Sequence, residues 1–216
     1  MNKIIISPSI LTADFLNLGS EINKIENSEA KWIHLDVMDG SFVPNISFGP
    51  KIISDISSKT QLFCDVHLMV NNPKHLFKSF VEAGSSCITI HSEATEDLVG
   101  DLLELKKLGV KCGVSIKPNT SIEKIKPVLD IVDLILIMGV EPGFGGQSLI
   151  PETLEKVSQL VQLRNQNRKY LISIDGGVKT DNIKLIKEKG IDVVVVGSAF
   201  FNSKDQVKLV KDLQEL

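Results

Sequence analysis

Residues 32–50 read WIHLDVMDGSFVPNISFGP, and the first seven alternate. His34, Asp36 and Met38 fall on one side, Ile33, Leu35 and Val37 on the other. A strand has a side-chain period of two, so an imidazole, a carboxylate and a thioether share one face and the opposite face is aliphatic. Asp39-Gly40 then opens a turn, and Pro44, Asn45 and Gly49 keep the next stretch loop-like. A polar strand face that ends in a long loop is where α/β enzymes place active sites. The plainer reading is a hydrogen-bonded His34–Asp36 pair inside a polar core.

Outward from this stretch the same unit recurs. Strand-like segments at 4–9, 32–38, 62–70, 87–91, 111–116, 134–140, 170–175 and 192–196 alternate with helical patterns such as 73–83, 97–108 and 151–165. Asp14, Asp97 and Asp181 stand where N-caps belong, and Gly84, Gly109 and Gly190 where helices stop. Eight βα units in 216 residues predict an α/β chain folded as one (β/α)8 TIM barrel over residues 1–216. A doubly wound open sheet competes, but no topological break divides the units.

Composition removes several functions. With 24 basic and 27 acidic side chains the net charge is −3, which gives no footprint for nucleic acid or an anionic membrane. The apolar run at 4–6 is too short for a signal-peptide core, and none approaches the ~20 residues that cross a bilayer. Cys64, Cys87 and Cys112 are odd in number and lack CxxC spacing, so they read as small buried hydrophobes. A cytoplasmic protein is expected.

The chemistry-bearing residues gather at strand ends: Ser9, His34 and Asp36, His67 and Met69, Met138, Asp175, then Gly197-Ser198. That is the C-terminal rim of a barrel. His34, Asp36, His67 and Asp175 can converge there on one divalent metal ion, and their mixed nitrogen and oxygen set suits zinc, iron(II), manganese or cobalt without choosing. Asp36 and Asp175, on strands two and seven, approach a bound sugar from opposed sides. Such a pair suits stereochemical inversion: one acid removes a proton beside a carbonyl and the other returns one to the opposite face. A metal can offset the charge of the resulting enediolate. Met38, Met69 and Met138 are either gap-filling core or a polarisable wall against that planar intermediate.

Glycine-rich turns follow three adjacent strands: Gly143-Phe144-Gly145-Gly146, Gly176-Gly177 and Gly197-Ser198. Backbone N–H groups exposed by such turns cradle anions, and this fold commonly binds phosphate after strands seven and eight. Basic side chains are scattered, so backbone dipoles are expected to dominate.

These residues resemble the ribulose-phosphate 3-epimerase family along nearly the whole chain. The matching blocks are Ser9-Ile10-Leu11, Ala13-Asp14-Phe15, His34-Leu35-Asp36-Val37-Met38-Asp39-Gly40, Phe42-Val43-Pro44-Asn45, His67-Leu68-Met69-Val70, Pro142-Gly143-Phe144-Gly145-Gly146-Gln147, Asp175-Gly176-Gly177 and Gly197-Ser198-Ala199. The resemblance implies a barrel of ribulose-phosphate-binding type that interconverts D-ribulose 5-phosphate and D-xylulose 5-phosphate. It implies Asp36 as proton acceptor and Asp175 as donor, with His34, Asp36, His67 and Asp175 on the metal. Ser9 and His67 would also touch substrate, and the three glycine turns would hold its phosphate end. A homo-oligomer is expected. Gly139, Asn119 and Val196 depart from common family residues without removing a catalytic or ligand position. An epimerase of a six-carbon ketose phosphate such as allulose 6-phosphate is the nearest rival. A phosphate-barrel decarboxylase would need a lysine where His67 stands and an acid where Val70 stands. A silent phosphosugar-binding protein predicts a lost acid, yet all four ligands are present.

Overall fold

The computed structural model describes residues 3–165 and 168–215. Its eight strands form one parallel sheet: β1 (Ile5–Pro8), β2 (Trp32–Met38), β3 (Phe63–Met69), β4 (Cys87–His91), β5 (Lys111–Ile116), β6 (Leu134–Met138), β7 (Leu171–Asp175) and β8 (Val193–Val196). Each expected strand is present, shortened by at most two residues at either end. Strand order runs β1-β8-β7-β6-β5-β4-β3-β2, and the ring closes between β1 and β2 through a parallel bridge, Ser9 to His34. The barrel wins over the open sheet.

The helices are α1 (Leu18–Asn27), α2 (Pro50–Ser57), α3 (Phe77–Glu82), α4 (Leu98–Lys107), α5 (Thr153–Leu163), α6 (Ile183–Glu188), α7 (Ser198–Phe201) and α8 (Gln206–Glu215). Asp97 caps α4 by accepting from Gly100 N–H, and Asp14 caps a short 3-10 turn at Phe15–Asn17. Asp181 does not cap α6. The chain enters that helix at Asn182, whose amide oxygen accepts from Lys179 N–H and so satisfies the preceding turn. Gly84, Gly109 and Gly190 lie at φ +90, +83 and +92, the left-handed conformation that ends helices. The β5–β6 crossover is a 3-10 segment, Ile122–Val128, because Pro127 removes a backbone donor.

Strand alternation divides the molecule into two interiors. Ile33, Leu35 and Val37 face outward into the aliphatic layer between sheet and helices, which α2 covers with Ile53 and Ile56. Each such side chain stabilises the fold by roughly 1.5–3 kcal/mol through burial. The inward face mixes buried polar residues with apolar ones in its middle and upper layers: Ser7, His34, Asp65, Thr89, Ser115 and Ser173 are all fully buried, beside Leu136 and Val195. Gly113 gives Thr89 room there, since a Cβ at 113 would stand 2.3 Å from Thr89 Oγ1. Cys64, Cys87 and Cys112 are free and buried as expected, and burial pushes the thiols of Cys64 and Cys112 up to about 11. No helix among the described residues is long and apolar enough to cross a membrane.

Candidate active site

β2 delivers His34 and Asp36 to the same inward face, β3 adds His67 and Met69, and β7 ends on Asp175. One ligand atom from each of His34, Asp36, His67 and Asp175 lies within 4.8 Å of all the others. Asp36 Oδ1 sits 3.2 Å from His34 Nε2 and 3.1 Å from His67 Nδ1, and Asp175 Oδ2 is 3.9 Å from both nitrogens. A cation about 2.0–2.2 Å from each ligand sets its ligands about 3–4 Å apart, so the spacing fits one ion. His34 Nε2 is buried without a hydrogen-bond partner and faces this point, while His34 Nδ1 is held by Asp65 Oδ2 at 2.8 Å. An oriented imidazole whose free nitrogen looks into a carboxylate pair is a ligand arrangement.

The two acids sit in different fields. Burial works against ionising Asp36, but the charge of the adjoining His34 ring, then the hydrogen bond and charge of His67, carry it far below the usual carboxylate range. Burial raises Asp175, and the like charge of Asp36 adds to it, so its carboxyl is pushed up to about 6. Burial disfavours a charged His34, yet Asp36 and Asp65 override it and draw the ring well above an ordinary imidazole. The protein's own groups thus attract positive charge to the centre of the site.

Above the cluster opens a cavity. Ser9, Asp36, Asp175 and the three methionines Met38, Met69 and Met138 line it, as do Gly143, Phe144, Gly145, Gly146, Gly176, Gly177, Gly197 and Ser198. His34 and His67 lie beneath this lining. Met38 and Met69 pack with Val43, and Met138 with Leu136 and Val195, so the methionines are core and wall at once. Thr12 and Lys179 also line the cavity, although neither stands in a motif that singles it out.

The long loop after β2 is tied down rather than loose. Asp39 accepts from the N–H groups of Ser41 and Phe42, both at 2.8 Å, and from Asn71 N–H at 3.0 Å. Asn45 Nδ2 donates to Gly143 O at 2.8 Å, which joins this loop to the glycine turn after β6. At Gly177, φ is +73 and a Cβ would stand 2.2 Å from Leu149 N, so only glycine fits this turn. His91 and Glu93 escape sequence reading altogether: His91 Nε2 lies 2.9 Å from His67 Nε2, and Glu93 stands behind it.

Active sites in barrels of this type occupy the C-terminal rim, and the His/Asp cluster with its cavity sits there: the chain is a TIM-barrel enzyme. The profile of the Ribulose-phosphate 3 epimerase family matches residues 5–201. A ribulose-phosphate 3-epimerase of Chlamydia muridarum is 43% identical over 216 residues, covering 96% of this chain and 95% of the relative. The Bacillus subtilis protein of the same name is 40% identical over 211 residues, with 97% of each covered. The chain belongs to the ribulose-phosphate 3-epimerase family. Fold likeness reaches further. A 3-hexulose-6-phosphate synthase from Salmonella typhimurium superposes with a TM-score of 0.75 at 14% identity, over 98% of this chain and 97% of the other. A 3-keto-L-gulonate-6-phosphate decarboxylase from Vibrio cholerae gives 0.71 at 19% identity, over 99% and 97%.

Proposed function

We propose that this chain interconverts D-ribulose 5-phosphate and D-xylulose 5-phosphate by removing and returning the proton on carbon 3. The observation that carries this reading is the pairing of Asp36 and Asp175 across one donor cluster, in a chain of the epimerase family. Asp36, the stronger acid, stays ionised and accepts the proton in one direction. Asp175, raised by burial and by Asp36, holds the proton delivered to the other face. In the reverse direction the roles exchange. His34, Asp36, His67 and Asp175 would hold one divalent ion, whether zinc, iron(II), manganese or cobalt. Such an ion supplies positive charge against the developing enediolate.

Ser9 and His67 adjoin the sugar oxygens, the methionines shield the planar carbon skeleton from water, and the glycine turns hold the phosphate through backbone N–H groups. Thr12 and Lys179 stand ready to add side-chain donors at that end. His67 and Val70 occupy the positions at which the related decarboxylases would need a lysine and an acid, which argues against decarboxylation. Three free, buried cysteines fit a reducing, cytoplasmic setting.

The test is turnover by metal-loaded protein of D-ribulose 5-phosphate and of D-allulose 6-phosphate, compared as kcat/KM. A clear preference for the five-carbon sugar is expected. A preference for the six-carbon sugar would transfer the same chemistry to a hexulose phosphate, and turnover of neither would leave a phosphosugar-binding protein.

A further inference from the structure

His91 ends β4 and is fully buried, and Glu93 follows two residues later. His67 presents Nδ1 to the donor cluster, and its other ring nitrogen meets His91 Nε2 at 2.9 Å. His91 Nδ1 lies 3.3 Å from Glu93 Oε2, and Glu93 Oε1 accepts from Lys117 N–H at 2.9 Å. Two facing ring nitrogens can share only one proton. A nitrogen that ligates a cation needs its lone pair, so a ligating His67 must carry its proton on Nε2. His91 Nε2 then accepts that proton's hydrogen bond, which forces the proton of His91 onto Nδ1, where the Glu93 carboxylate receives it. Every link in the chain has one arrangement.

The rings have no freedom to choose another. His67 and His91 meet edge to edge, with centroids 4.9 Å apart and ring planes 30° apart, and Phe42 packs against His91 at 4.6 Å. Lys117 Nζ covers the Phe42 ring at 4.0 Å. On the neighbouring strand, Asp65 holds the other histidine ligand, His34, directly. A carboxylate therefore stands behind each histidine, at one remove for His34 and at two for His67.

We propose that His91 and Glu93 are positioning residues that fix the tautomer in which His67 offers Nδ1 to a divalent cation. This rests on the metal-binding reading of the site. Outer partners of ligating histidines generally sustain metal affinity by about 10- to 100-fold.

The experiment uses zinc and the full chain. Metal-stripped wild type, His91→Leu and His91→Gln are titrated with zinc against a chromophoric chelator, with circular dichroism and thermal melting as fold controls. His91→Leu, which leaves His67 Nε2–H without an acceptor, is expected to bind zinc about 10- to 100-fold more weakly. His91→Gln keeps an oxygen that can accept the same hydrogen bond and is expected to retain most of the affinity. Because His91→Leu leaves a buried gap, nitrogen-15 NMR of zinc-loaded wild type provides a second readout: His91 carries its proton on Nδ1 and His67 on Nε2. Wild-type affinity in a folded His91→Leu, or a His91 protonated on Nε2 in the zinc form, would overturn the proposal and leave the metal site standing. A wild type that fails to bind zinc, iron(II), manganese or cobalt would overturn both.

Discussion

Ser9 Oγ donates a 2.5 Å hydrogen bond to Asp36 Oδ2, while Oδ1 of the same carboxylate lies between the two histidines. Ser9 also makes a bridge that closes the barrel, to His34. Barrel closure and orientation of the carboxylate thus depend on the same residue. Hydrogen bonds to charged groups contribute about 1.5–3 kcal/mol. Ser9→Ala is therefore expected to lower kcat/KM by roughly 10- to 100-fold, with its melting temperature close to wild type. Unchanged kcat/KM would show that Asp36 needs no such anchor.

Opposed acids make an asymmetric prediction. In Asp175→Asn, Asp36 remains to remove the proton of D-ribulose 5-phosphate, but nothing returns one to the other face. Epimerisation should fall by at least ~10²–10⁴-fold, with solvent exchange at carbon 3 of that substrate outlasting it. Asp36→Asn should show the converse, with exchange only into D-xylulose 5-phosphate. Proton NMR in heavy water reads both, and equal loss of exchange from both sugars in either variant would contradict a two-base route.

The raised Asp175 carboxyl links stability to pH. Its value of about 6 exceeds the ordinary 3.8, so the folded chain favours the protonated form. That contribution is fully present below pH about 4 and is lost as pH rises through about 6. Metal-free wild type should consequently lose stability between these values relative to Asp175→Asn, and the variant should melt higher at pH 8 with the gap closing at pH 4. Thermal melts across that range check it. A gap that widens as pH falls would reverse the sign.

Two glycines in the turns that line the cavity separate conformational strain from collision. Gly146 lies at φ +78, and a Cβ added there would meet nothing within 4 Å, whereas a Cβ on Gly177 strikes backbone at 2.2 Å. Gly146→Ala should cost about 1–2 kcal/mol of stability. Gly177→Ala should cost clearly more and weaken substrate binding, because the β7 turn must move. Denaturant melts and KM for the two variants, side by side, test this; equal costs would mean that the Leu149 backbone yields freely.

The fold was legible because alternation is local. Ile33, Leu35 and Val37 against His34, Asp36 and Met38 state both faces of β2 within seven residues, and each outward strand face repeats the aliphatic pattern. The ligand candidates could be read from strand-end position alone. Asp65, His91 and Glu93 could not, since their importance lies in which nitrogen each holds across neighbouring strands, as in the 2.8 Å contact of Asp65 with His34. Lys179 was obscured for a similar reason: only the turn after Gly177 brings it to the cavity. Asp181 misleads because an acid at that position has no cap to make when Asn182 already serves the turn.

The most direct test of the central claim is proton NMR of metal-loaded protein with D-ribulose 5-phosphate in heavy water. Formation of D-xylulose 5-phosphate carrying deuterium at carbon 3 is the expected result, since two carboxylates that exchange with solvent pass the proton. Product that retains the original proton at carbon 3, or no product and no exchange from folded, metal-loaded protein, would contradict it.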